Sequence, residues 1–290
     1  MHKILLTGIT GQLGSELGNV LSKEWKIFPV SRKEMDLSNE STIRRIIRDK
    51  KPDLIVNPAA YTKVDRAENE KELAFAINEK APRIIAEEAK ALNIPLIHFS
   101  TDFVFDGKES TPYIETDSPS PMNVYGLSKL EGEKAIQEVD GDYLIFRTAW
   151  VYSRQGNNFR NTIRRLARER PELNIINDQV GSPTTTTYIS LVLKNVLDLF
   201  FIEKEITFQE YKGIYHLTCG GTCSWYDFAE VIIKDLFHDE EGHCTLNPIS
   251  TKDYTSAAIR PQYSVLSNQK LKEIFGLEQK QWQDCFQEMR

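Results

Sequence analysis

The chain has 290 residues, 40% hydrophobic and 27% charged, with 15 Gly and 12 Pro. That balance describes one large folded domain or two smaller ones and excludes collagen-like and low-complexity polymers. A net charge of −6 disfavours a phosphate-coated partner, and the basic stretch 160–170 is interleaved with acids and helix formers, so no nucleic-acid partner is expected.

The opening MHKILLTG lacks the zones of a signal peptide, and the most apolar stretch, YISLVLKNVLDLFF, carries Lys194 and Asp198. A cytoplasmic protein with no membrane span is expected. Cys219, Cys223, Cys244 and Cys285 form no CxxC pair and no zinc spacing with His216 or His243, so they read as reduced structural thiols and no metal ligands are assigned.

The spacing predicts a strand over KILLTG, followed by a helix over SELGNVLSKEW. Between them Gly8, Gly11 and Gly14 form G-x-x-G-x-x-G, with Gln12 and Leu13 at the helix start. A backbone that approaches a pyrophosphate closely tolerates no side chain, and the helix amino terminus offers its unpaired N–H groups to the anion. The strand-before, helix-after context makes this a dinucleotide site rather than a turn that merely packs.

A second strand, KIFPVS, leads into SRKEMDL, where Ser31, Arg32 and Lys33 mark the adenosine end. Two cations beside a serine suit a 2′-phosphate, so NADP is preferred, with NAD as the alternative. STIRRIIRDKK reads as a helix and DLIVNPAA as the next strand, ending in Ala59 and Ala60, small enough for a cofactor to lie on backbone, with Thr62 just beyond. A helical segment, 72–93, breaks or starts near Pro82, and PLIHFST is a further strand. Strands alternating with helices imply parallel pairing, hence a doubly wound α/β (Rossmann) sheet.

That strand presents Ser100, Thr101 and Asp102, and NVYGLSKLEGEKAI reads as a helix with Tyr125 and Lys129 on one face. A phenol is a poor proton shuttle at neutral pH unless a nearby ammonium favours its phenolate, and lowering its pKa toward 7 takes about 4 kcal/mol. Lys129 would supply that charge and also hold the nicotinamide ribose. A strand-end hydroxyl would bond the substrate carbonyl, with Thr101 chosen and Ser100 left as the alternative.

Beyond, YLIFRTAWVY reads as one strand, NNFRNTIRRLARERP as a helix, LNIINDQVGSPTTTT as strand and loop, and YISLVLKNVLDLF as a helix. GIYHLTC then reads as a buried strand, and SWYDFAEVIIKDLF as a helix capped by Ser224. The expected organisation is a dinucleotide-binding domain, 1–150, and a smaller substrate-binding lobe, mainly 151–290, with part of the chain returning to the sheet.

The glycine turn with Tyr125 and Lys129 resembles the short-chain dehydrogenase/reductase superfamily, in particular its extended members. The stretches GQLGSEL, VNPAAYTKVDRAE, STDFVFDG, NVYGLSKLEGEKA, FRTAWVY, GNNF, INDQVGSPT, YHL, WYDFA and RPQYSVL are similar to the dTDP-4-dehydrorhamnose reductase family, from the first strand nearly to the carboxyl end. The resemblance implies hydride transfer from NAD(P)H to the C4 ketone of a dTDP-sugar, with Tyr125 as proton donor, Lys129 as its tuner and Thr101 as carbonyl partner. It implies Asp36 and Leu37 at the adenine, Asp102, Phe103 and Trp150 at the sugar, and Asn158 and Arg260 at the nucleotide end.

Trp150 reads equally as a core aromatic. Phe103 stands where related dehydratases carry a catalytic Glu, which argues against that chemistry. A nucleotide-sugar epimerase and a non-catalytic NADP-binding regulatory subunit remain as alternatives. Some members dimerise through a carboxylate-held metal, and the tail QDCFQEMR shows no equivalent, so a monomer or a homodimer, and a magnesium requirement, stay open.

Overall fold

The structure is a computed structural model that describes residues 1–203, 206–238 and 242–289. Its first half runs β1 (Lys3–Leu6), α1 (Gln12–Leu21), β2 (Lys26–Pro29), α2 (Glu40–Lys50), β3 (Leu54–Asn57), α3 (Val64–Ala67), α4 (Lys71–Phe75), α5 (Ala81–Ala91), β4 (Leu96–Thr101), α6 (Val124–Val139) and β5 (Tyr143–Thr148). The rest contributes β6 (Val151–Tyr152), α7 (Phe159–Glu169), β7 (Glu172–Ile176), β8 (Val180–Gly181), β9 (Thr184–Thr185), α8 (Thr186–Asp198), α9 (Phe208–Tyr211) and β10 (Gly213–His216). It closes with β11 (Cys223–Ser224), α10 (Trp225–Leu236), β12 (Thr245–Ile249), α11 (Gln269–Phe275) and α12 (Trp282–Glu288).

Six strands form one parallel sheet in the order β10-β5-β4-β3-β1-β2, the doubly wound α/β class expected. Because successive side chains point to opposite faces, both faces of the inner strands must be apolar. Ile4 and Leu6, Leu54 and Val56, Ile97 and Phe99, and Leu144 and Phe146 enter one core with residues of α1, α8 and α10. Leu5, Ile55, Leu96 and Ile145 enter the other, beneath α2, α5 and α6.

The expected break near Pro82 is a π turn, Ala76–Lys80, continuous with α4 and α5. Pro82 has no N–H to give the Asn78 carbonyl four residues back. That carbonyl instead faces Gly132 of α6, where any Cβ would collide with it. The Asn78 side chain ties the same crossing together by accepting from Tyr61 N (2.8 Å) and donating to Ser128 Oγ (3.0 Å).

One expectation is corrected. YLIFRTAWVY is not one strand, because β5 ends at Thr148 and Trp150 adopts a left-handed backbone (φ 47°). The two residues that follow leave the sheet and pair with β9 instead. The distortion seats the Trp150 indole against Gly181, whose missing side chain makes the room, and stacks it on Trp225 with ring centroids 3.4 Å apart. Ser224 caps α10 as expected, in a reciprocal pair of bonds with Asp227.

Candidate active site

A cavity of about 740 Å³ lies beyond the carboxyl ends of β1, β3, β4 and β5. The chain leaves β1 toward β2 on one side and reaches β3 on the other, so the sheet changes direction there, the usual ligand crevice of an open parallel sheet. Gly8 has φ 60°, and a Cβ on it would lie 3.0 Å from the Ala59 Cα, so the two strand-end loops meet backbone to backbone. A Cβ on Gly14 would strike the Gly8 carbonyl. Gly11 begins α1 with no side-chain cap and no acid in the first turn, which leaves the helix N–H groups free to receive an anion. A dinucleotide pyrophosphate fits that cradle.

Gly8, Gly11, Gln12, Leu13, Gly14, Ser31, Arg32, Asp36, Leu37, Ala59, Ala60 and Thr62 all line this cavity, whereas Lys33 does not. Glu34 takes hydrogen bonds from both the Ser31 N–H (2.9 Å) and its hydroxyl (2.8 Å), a contact that motif reading passed over although the acid lies within the same loop. Bonds from Ser38, and more weakly the charge of Arg32, hold the Asp36 carboxyl below its ordinary range.

Thr101, Asp102, Phe103, Tyr125, Lys129 and Trp150 line the other end. The Asn123 side chain caps α6 by accepting from the Gly126 N–H (2.8 Å) and also donates to the Ile259 carbonyl (2.7 Å). Gly126 lies so close to the Phe103 carbonyl that a side chain would collide with it, which brings Tyr125 down onto the turn after β4. Phe103 packs edge-on to the Tyr125 ring at 5.6 Å. Ser100 and Thr101 both line the cavity; the Thr101 hydroxyl donates to Asp102 Oδ1 (3.0 Å) and lies near enough to Tyr125 to oppose its rise in pKa, whereas Ser100 Oγ is buried without a partner.

The tuning expected of Lys129 is not what the side chains do. Its Nζ donates to the Phe99 carbonyl (2.6 Å) and meets His98 Nε2 (3.1 Å). Burial pushes Tyr125 up to about 12, with the Asp102 charge adding to the rise and the Thr101 bond opposing it. Burial likewise lowers Lys129 to about 8, against a smaller upward pull from Glu133. Desolvation outweighs the expected ion pairing, so the phenol is held protonated. Asp102 is also raised by burial, to about 6, and its Oδ2 has no partner at full hydrogen-bond geometry, although Ser264 gives some relief.

Asn158 and Arg260 do not reach the cavity wall. Asn158 caps α7 by accepting from Asn161 N (2.9 Å) and donates to Gln12 Oε1 (2.7 Å), so it touches the cavity only through Gln12. Arg260 is held by both oxygens of Asp65 (2.7 and 3.2 Å). Sequence reading missed Asn123, Gly126, His98 and Asn57. Asn before a helix and Gly inside one are legible signals of a cap and a close approach, but nothing local marks His98 or Asn57. Among the described residues, no group of three or more His, Cys, Asp or Glu is placed to hold a metal, and no helix is long and apolar enough to cross a membrane.

Residues 1–290 match the family model described as RmlD substrate binding domain. The chain is 43% identical to dTDP-4-dehydrorhamnose reductase of Burkholderia thailandensis, over 97% of this chain and 95% of that protein. Among solved structures it is similar to the Bacillus anthracis dTDP-4-dehydrorhamnose reductase in complex with NADP, at TM-score 0.91 and 33% identity, covering 99% of this chain and 98% of that one. A Clostridium acetobutylicum dTDP-4-dehydrorhamnose reductase gives TM-score 0.90 and 36% identity, with coverage of 99% and 98%.

Proposed function

We infer from its membership of the RmlD family, to which the chain belongs along its whole length, that it reduces the C4 ketone of dTDP-4-dehydro-L-rhamnose to give dTDP-L-rhamnose. The observation that carries this reading is the convergence of Thr101, Tyr125 and Lys129 on one cavity with the glycine turn. A bound NADPH supplies a hydride to the carbonyl carbon.

Tyr125 supplies the proton. Held protonated by burial, it suits the reductive direction, because the alkoxide left by hydride addition is far more basic than a phenolate. The Thr101 hydroxyl, which donates to Asp102 Oδ1 (3.0 Å) when no substrate is bound, turns to the carbonyl oxygen and stabilises charge as it develops there. Lys129, anchored from below, fixes the cofactor's ribose side. Phe103 and Trp150 form apolar walls for the deoxysugar, and Asp102 contacts its hydroxyls. Residues 1–150 act as the dinucleotide-binding part, and 151–290 mainly cover the substrate.

NADPH is the proposed coenzyme, because Arg32 is an exposed cation on the wall where a 2′-phosphate would lie. Loss of NADPH absorbance on mixing with the dTDP-4-keto-6-deoxy sugar tests the reaction. An unchanged trace would favour a cofactor-binding regulatory protein. Arg32→Ala should weaken NADPH about ten- to a hundredfold and leave NADH little changed, whereas equal losses would make Arg32 a loop support.

A further inference from the structure

Beneath the cavity floor four buried side chains join the end of β1 to α6. Thr7 Oγ1 meets Asn57 Oδ1 at 2.6 Å, Asn57 Nδ2 meets His98 Nδ1 at 3.1 Å, and His98 Nε2 meets Lys129 Nζ at 3.1 Å. Each of the four is at most 2% exposed. Burial, with the neighbouring Lys129 charge, holds the His98 pKa well below its ordinary value, so the ring is neutral and carries a single N–H.

That single proton constrains the row. When the Asn57 amide N–H faces Nδ1, Nδ1 is the acceptor and the proton sits on Nε2, pointing at Nζ. The contact is then a hydrogen bond only to a neutral amine. With the amide turned over, Asn57 Oδ1 takes an Nδ1 proton and Nε2 accepts from an ammonium. Asn57 then donates to Thr7 Oγ1, which also receives the Ala59 N–H at 3.3 Å. The Phe99 carbonyl accepts from Lys129 in both states. The two states differ by one proton, lost from Nζ. His98, Asn57 and Thr7 each keep the protons they had.

We propose that Thr7, Asn57 and His98 form a reversible hydrogen-bond row that holds Lys129 in place in either charge state, with His98 as the positioning residue. The proposal rests on the reading of Lys129 as the residue that fixes the cofactor's ribose side. A lysine that titrates near 8 would otherwise be left, once neutral, with the Phe99 carbonyl as its only anchor.

Other groups bear on that charge. Glu133 and Tyr125 lie on the same helix, and Arg147 from β5 is committed to Glu133 at 2.7 Å. Asp102 acts through Tyr125. Glu68 reaches only the start of α6, where it accepts from Val124 N, and the Arg83 ion pair with Glu138 lies at its far end. None of these replaces His98 at Nζ.

Imidazole ¹⁵N NMR of the full chain, from pH 6 to 10, reads the row directly and needs no turnover. His98 should stay neutral while its proton moves from Nδ1 to Nε2 with a midpoint near 8, where Lys129 titrates. In Lys129→Met one tautomer should persist throughout. A single tautomer in the wild type, or a switch that survives Lys129→Met, overturns the proposal. Asn57→Asp, unable to donate, should lock the proton on Nδ1 across the same pH range. A tautomer switch that persists in the folded Asn57→Asp variant also counts against it. If the reductase reading is wrong, no variant consumes NADPH but the tautomer switch remains, whereas turnover without a switch sinks only the row.

Discussion

At Tyr125 burial and hydrogen bonding pull in opposite directions and burial wins, so the site holds an acid rather than a phenolate. Tyr125→Phe keeps the ring against Phe103 and removes the hydroxyl that carries the proton. Steady-state assays should show kcat down about 10²- to 10⁴-fold, with NADPH affinity unchanged by titration, and retention of more than half the rate would contradict the acid role. Asp102 gives a second residue-level test. Its folded carboxyl titrates near 6, above its ordinary value of 3.8, so between those values the folded state binds more protons than the unfolded one. Stability therefore falls as pH rises from about 4 to 6 and stays lower above that window, by about 3 kcal/mol. Asp102→Asn should gain up to that amount in urea melts above pH 6 and nothing below pH 4, and an equal gain at both would point to packing instead.

At the scale of elements, the alternating strands and helices were legible because the inner strands carry apolar residues on both faces and helices such as α1, α2 and α10 carry an apolar stripe. What escaped reading depends on partners distant in sequence. The end of β5 at Thr148 is set by Trp150 seated on Gly181 and Trp225, and the anchoring of Lys129 is set by His98 and the Phe99 carbonyl one strand away. Tyr125 and Lys129 were legible as a pair, but their electrostatics were not, since helix spacing carries no information about desolvation. The crossing of α6 over the π turn shows how a local rule yields to packing. Gly132→Ala improves intrinsic helix propensity by about 1 kcal/mol, yet the added methyl meets the Asn78 carbonyl. A net loss of about 1 to 3 kcal/mol in denaturant unfolding is expected, and a stabilised variant would show that α6 can shift away.

At the scale of the whole molecule, residues 1–150, which we propose bind the dinucleotide, do not close the core by themselves. One apolar cluster runs from Ile4 to Met289 and joins strand residues of the first half to α8, α10 and α12. The parallel sheet itself is completed at one edge by β10, from the second half. Residues 1–150 alone would leave Leu144, Phe146 and Phe99 with α1 but without α8 and α10, so the two halves of the chain should fold together. Calorimetry of the intact chain should therefore show a single transition whose calorimetric and van't Hoff enthalpies agree. NADPH at a hundred times its dissociation constant adds about 2.7 kcal/mol to the folded state, although its site is lined wholly by residues up to Val151. The entire transition should move up by roughly 5 °C, including the signal of Trp225 and Trp282 in the second half. Two resolved transitions, only the first of them raised by NADPH, would mean that the dinucleotide-binding part folds on its own and that the shared cluster is a docking surface rather than a common core.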